Sequence, residues 1–228
     1  MMQRETVITQ SNEIHEATFI SFKAQPGKES AVASLLGGAA NVVWQSEPDT
    51  LQWFALRDGE RTFAIVDFFR DERGRSAHFG GKVAAALKSA APDVVAGGWD
   101  AGVLANVENS KVLSATITKD RLSVASLAVR IDLQATPGKE EELAAFLTSG
   151  AALVRQTEPR TLLWYALRLD HGRFAIFDVF ASEEGKAAHF AGKVAAALKA
   201  KAPELVRGGW DGGVARNVRG LAVVSATY

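Results

Sequence analysis

From Ser126 to Gln134 (SLAVRIDLQ) apolar and polar residues alternate with the two-residue period of a half-exposed strand. Thr136-Pro137-Gly138 follows and places proline in the first turn of a helix. Apolar Leu143, Phe146, Leu147 and Val154 then recur at helical spacing, so the helix runs from Lys139 to Arg155. Glu158-Pro159 stops it, because the residue before a proline avoids the helical region. Leu162 to Arg168 and Arg173 to Phe180, rich in aromatic and branched residues, read as the two strands of a hairpin. Ser182 can cap a second helix, Glu183 to Lys201, which Pro203 terminates. After a glycine-rich loop, Leu221 to Thr227 forms a last strand.

The same series occurs earlier in the chain. Its members are a strand Ala17 to Lys23, a helix Lys28 to Trp44 and a stop at Glu47-Pro48. The strands Leu51 to Arg57 and Thr62 to Phe69 follow, joined by Asp58-Gly59-Glu60-Arg61. Asp71 can cap a helix from Glu72 to Ala90, ended by Pro92, and Lys111 to Ile117 closes the series. Ala17 to Ile117 lies on Ala128 to Tyr228 without a gap and matches at about half of its positions, the signature of a duplicated domain. The division expected is an extension over 1–15, a first domain over 16–117, a linker over 118–125 and a second domain over 126–228.

Strand, helix, strand, strand, helix, strand is the ferredoxin-like plan, an antiparallel sheet with both helices on one face. Strand residues of both parities are apolar here, Leu51, Trp53 and Ala55 as well as Phe54 and Leu56, so the second face is covered too. The sheet of the other half is the nearest cover. The expected fold is α+β, with two ferredoxin-like repeats whose antiparallel sheets pack face to face as an intramolecular dimeric α/β barrel.

Composition narrows the chemistry. The 228 residues carry 26 Lys plus Arg and 26 Asp plus Glu, so no net field draws the chain to nucleic acid or an anionic membrane. There is no cysteine, which removes disulfides and thiolate chemistry. The first residues are polar, and no apolar run approaches the roughly 18 residues of a membrane span. A cytoplasmic protein is expected. No HxH or HExxH spacing occurs, so no metal centre is expected.

Counting back from the hairpin turn sets Arg57 opposite Phe63, Ala55 opposite Ile65 and Trp53 opposite Asp67. The indole N–H of Trp53 could donate to Asp67, and that of Trp164 to Asp178. Either pair could be a core anchor or an indole wall with a carboxylate beside it, orienting an aromatic hydroxyl. His78 and His189 have small residues at i+3 and i+7, Gly81 with Ala85 and Gly192 with Ala196, which leave room above the ring. Each histidine could be a packing residue, or a base that takes a proton from a phenol at neutral pH. Trp99 and Trp210, in the repeated Gly-Gly-Trp-Asp loop, could close over a ligand or plug the end of the half-barrel. Arg57 and Arg168, at strand ends, are solvated charges by default that could also pair with a carboxylate or phenolate. The copies differ at Phe54 and Tyr165, at Trp44 and Arg155, and at Gly80 and Ala191. The Tyr165 hydroxyl favours the second half if only one half reacts.

The motifs PGKEEEL, EP.TL.W.ALR, F.IFD.F and AHF.GKVAAAL resemble the antibiotic biosynthesis monooxygenase-like family, and the resemblance covers both halves. It implies a barrel formed by two sheets, here made covalent by fusion. It further implies a cofactor-independent monooxygenase whose partners are a small phenolic or quinol-type aromatic and molecular oxygen. Under that reading His78, His189, Asp67 and Asp178 are the catalytic candidates. Trp53, Trp164, Tyr165, Phe54, Trp99, Trp210, Arg57 and Arg168 are the substrate-binding candidates. The alternative is a non-catalytic small-molecule-binding or structural barrel. The haem-degrading branch of the family fits less well: it uses an asparagine on the first strand and a tryptophan on the third, and neither is present. A further homodimer, through edge strands or helix faces, is left open.

Overall fold

A computed structural model describes residues 13–228, with the side chains of all but 119–121. The expected N-terminal extension therefore lies almost wholly outside the described residues. Each half runs through four strands and three helices. The first contains β1 (Glu16–Lys23), α1 (Glu29–Ser46), β2 (Thr50–Asp58), β3 (Thr62–Phe69), α2 (Glu72–Phe79), α3 (Lys82–Val94) and β4 (Val107–Ile117). The second contains β5 (Leu127–Gln134), α4 (Glu140–Thr157), β6 (Thr161–Arg168), β7 (Arg173–Phe180), α5 (Glu183–Phe190), α6 (Lys193–Leu205) and β8 (Val218–Thr227). A short 3-10 turn, Lys119–Val124, connects them. Among the described residues no helix is long and apolar enough to cross a membrane.

The strands form one closed barrel in the order β1-β3-β2-β8-β5-β7-β6-β4. Expectation placed two sheets face to face, and they also join at both edges. β4 pairs with β1 over 107–111 and then with β6 over 111–117. β8 likewise pairs with β5 and then with β2. Among the described residues closure leaves no free edge strand. The strands expected from Lys111 and Leu221 cover little more than these cross-half segments, because the preceding Val107-Glu108-Asn109-Ser110 is mostly polar and gives no strand signal.

The hairpin register is as counted, with Trp53 opposite Asp67 and Trp164 opposite Asp178. Alternation sends Phe54, Leu56, Val66 and Phe68 into the barrel, where they meet Leu163, Tyr165 and Phe177 of the second half. Phe68 stacks on Tyr165 with ring centroids 4.0 Å apart. The opposite parity, Trp53, Ala55, Phe63 and Ile65, faces α1 and α3 in a second core, and Trp164, Ala166, Phe174 and Ile176 do the same under α4 and α6.

The single second helix expected in each half is two helices. α2 ends at Phe79, capped at its start by Asp71, whose carboxylate accepts from the Gly74 N–H. α3 begins at Lys82, after Gly80-Gly81. Pro92 and Pro203 sit inside the last turns of α3 and α6, which continue to Val94 and Leu205. The cause of the break is tertiary. A carboxylate from outside the segment occupies the gap and caps the new helix.

Candidate functional site

That carboxylate belongs to Glu47, the residue that ends α1. Its Oε1 accepts from the Val83 N–H at 3.1 Å, satisfying one of the free donors at the start of α3. Its Oε2 lies 2.5 Å from Nδ1 of His78. Thr50 Oγ1 lies 3.2 Å from the same nitrogen. On the other side of the ring, Nε2 lies 3.5 Å from Oδ2 of Asp67. The second half repeats the arrangement: Glu158 Oε2 is 2.6 Å from His189 Nδ1, Glu158 Oε1 is 3.0 Å from the Val194 N–H, and Asp178 Oδ2 is 3.5 Å from His189 Nε2.

Local chemistry makes the close approach possible. A Cβ on Gly81 would lie 2.5 Å from Glu47 Oε1, and a Cβ on Gly192 would lie 2.5 Å from Glu158 Oε1. The space left by these small residues is therefore filled by a carboxylate and does not open above the ring.

Both ring nitrogens face carboxylates, and this decides the charge. Burial alone would lower the His189 pKa, but Asp178 and Glu158 outweigh it and raise it to about 10. His78 moves in the same direction for the same reasons. Burial raises Asp67 to about 6, opposed by the positive His78 and reinforced by Glu47. Burial would also raise Glu47, but its bonds to His78 and to the Val83 N–H hold it below the usual range. Carboxyl groups on both sides of each ring therefore favour its protonated form, and His189, with a pKa near 10, is an imidazolium at neutral pH. An imidazolium has no lone pair to accept a proton, so this environment does not favour the base role expected of the histidines.

The Trp53–Asp67 and Trp164–Asp178 hydrogen bonds are not formed. Both oxygens of Asp67 and of Asp178 are buried without a hydrogen bond, and so is the Trp53 indole nitrogen. Trp53 and Asp67 are fully buried. Unpaired buried groups of this kind call for an explanation.

Two open spaces lie on the helix side of the sheets. Beside His189 a cavity of about 20 Å³, lined by Trp164, Phe190, Val194 and Trp210, is room for one water. In the first half a recess of about 320 Å³ opens between α1 and α3. Leu35, Gly38, Ala39 and Val42 line one wall, Val83 and Leu87 the other, and Ile65 of β3 contributes from the sheet. Trp53 and Asp67 share the sheet face of Ile65, two residue pairs farther along the hairpin.

The other candidates are dispersed. Tyr165 and Phe54 point into the barrel, away from the helix-side space. The Tyr165 hydroxyl donates to Gln52 at 3.0 Å, and burial pushes its pKa well up. Trp99 and Trp210 are half-buried against the helix-side cores, with Lys88 and Lys199 over their rings at 6.0 and 5.7 Å. Arg57 donates to the Gly59 and Glu60 carbonyls, and Arg168 pairs with Glu141 at the surface. Among the described residues no cluster is arranged to hold a metal ion. Sequence reasoning missed Glu47 and Thr50, with Glu158 and Thr161. Their signal was the shared EPxT motif, in which Glu-Pro was read only as a helix stop.

No family model and no curated protein sequence matches the chain. Solved structures do. Two described as "putative monooxygenase" superpose over 94% of the chain. The one from Fusobacterium nucleatum subsp. nucleatum has a TM-score of 0.79 at 18% identity over 94% of its own length. The one from Lactobacillus acidophilus has a TM-score of 0.72 at 13% identity over 96% of its length. A monooxygenase-like protein from Listeria innocua matches 93% of this chain and 96% of its own, at 10% identity and a TM-score of 0.50. The chain thus shares the fold of monooxygenase-like proteins, with two ferredoxin-like repeats closed into one barrel.

Proposed function

We propose that the protein binds a small aromatic molecule in its first half, in the recess between α1 and α3. The observation that carries this is the recess itself, about 320 Å³ with an almost wholly apolar lining. Ligand pockets start near 300 Å³, and a cavity of about 150 Å³ already holds benzene, so the size suits two fused rings. The indole N–H of Trp53 and the carboxylate of Asp67, neither of which has a hydrogen bond and both on the same sheet face as Ile65, favour a ring that carries a hydroxyl group. Titration with 2-naphthol, followed by its fluorescence, tests the reading. Saturable binding that Ile65→Trp abolishes is expected, and no binding to the wild type overturns it.

Oxidation of such a ligand by molecular oxygen is a second reading, favoured by Asp67. A carboxylate whose pKa is raised to about 6 and whose oxygens accept no hydrogen bond is suited to take a phenolic proton. An electron-rich phenolate can then reduce oxygen directly, and the reaction requires no cofactor. The monooxygenase descriptions of the structural neighbours support this reading. Anaerobic mixing with a panel of hydroquinones, then admission of oxygen while quinone absorbance is followed, tests it. Turnover in the wild type and its loss in Asp67→Asn are expected. Equal rates with and without protein would leave binding as the function.

A further inference from the structure

The recess has no reason to exist twice. Matching positions of the two halves carry different volumes: Leu35, Gly38 and Val42 line the recess, and their counterparts are Phe146, Ser149 and Leu153. Each counterpart is larger. Phe146 and Leu153 pack against the helix-side core of the second half as Leu35 and Val42 do against that of the first, and bring more volume to it. At the fourth position the order reverses, and the reversal works to the same end. Ala39 stands opposite Gly150, and a Cβ on Gly150 would lie 2.7 Å from the ring of Trp164. The indole of the second half therefore leans against the backbone of α4, in space that the Ala39 methyl denies to Trp53. In the second half the indole and the larger helix residues take up helix-side volume. In the first half the recess is open, with an indole N–H left unpaired.

We infer that the chain carries one ligand site, not two, and that Leu35, Gly38 and Val42 are the residues that admit the ligand. This rests on the proposed binding function and adds its stoichiometry and its specificity determinants. The duplication has then divided the work: the second half completes the barrel, and the first half binds.

The experiment is a calorimetric titration of the full chain with 2-naphthol. The wild type is expected to bind one equivalent. Gly38→Ser, which installs the second-half residue, adds atoms where a Cβ meets nothing within 4 Å and so leaves the fold undisturbed. It is expected to weaken binding about tenfold, the loss of roughly 1.4 kcal/mol. The triple variant Phe146→Leu, Ser149→Gly, Leu153→Val is expected to raise the stoichiometry toward two. Two equal sites in the wild type, or binding unchanged by Gly38→Ser and lost in the triple variant, would overturn the inference while leaving a binding function in place. No binding at all would sink the proposed function as well. An unchanged melting temperature for Gly38→Ser separates loss of the site from loss of the fold.

Discussion

Glu47 and His78 stand 31 positions apart in the chain, and their side chains meet at 2.5 Å between Oε2 and Nδ1. The same carboxylate caps α3 through the Val83 N–H. One side chain therefore ends one helix, starts another and holds the charge on a histidine.

Removing that charge leaves a buried imidazolium with a weakened partner and α3 with a neutral cap. Glu47→Gln, nearly isosteric, is expected to cost about 3 kcal/mol, as breaking a buried pair does. Urea denaturation checks it. A cost below about 0.5 kcal/mol, no more than an ordinary surface change, would show that the pair contributes little. Glu158→Gln is expected to behave alike, since the geometry repeats.

Histidine protonation gives an alkaline limb. The His189 pKa is about 10 in the fold, against an ordinary value of 6.5, so the folded state holds a proton that the unfolded state releases. The contribution is complete below about 6.5 and is lost as pH rises through about 10. Unfolding free energy is therefore expected to fall between pH 7 and 10. His189→Gln should flatten that slope, and an unchanged slope would mean that the ring is neutral.

Asp67 works in the same sense at lower pH. Its pKa is raised from 3.8 to about 6, so its ionisation destabilises the fold progressively as pH rises between those values. Asp67→Asn removes that cost but strips His78 of one counter-charge. If Asp67 accepts the phenolic proton, hydroquinone oxidation is expected to rise with pH around 6. A rate flat from pH 5 to 8 would remove Asp67 from the reaction.

Tyr165 tests the separation of the barrel interior from the recess. Tyr165→Phe breaks the bond to Gln52 and is expected to cost about 1 kcal/mol, while 2-naphthol binding stays unchanged. A change in binding would place the ligand inside the barrel.

Glu108 ties the halves together. It accepts from Arg130 and from Arg173, both at 2.7 Å, and Arg130 is buried over the Phe19 ring at 3.8 Å. Glu108→Gln is expected to cost about 2 kcal/mol, in the range for hydrogen bonds to charged groups. Burial opposes ionisation of Glu108, but Arg130 and Arg173 outweigh it and lower its pKa. The wild type should therefore lose this contribution as pH falls through the lowered pKa, and the variant should not.

Much of the fold was legible because strand alternation and helix spacing record which side of each element is buried. The register of Trp53 against Asp67 followed from counting residues around a turn. The break in the second helix was not legible, since Gly80-Gly81 within a run of helix formers reads as tolerated glycine until Glu47 is seen in the gap. Nor was the end of the Tyr165 hydroxyl, whose acceptor Gln52 is 113 positions away.

The amino-acid pattern by itself determined the duplication, the order and type of the elements and the parity of their faces, because each depends on neighbours a few residues apart. Only the tertiary structure decided that carboxyl groups flank the histidines and favour their charged form, that the sheets close at their edges and that a recess opens between α1 and α3. Charge is set by carboxylates arriving from separate elements, and open volume by small differences in side-chain size summed across a gap between two helices. Neither quantity is carried by any local stretch of sequence.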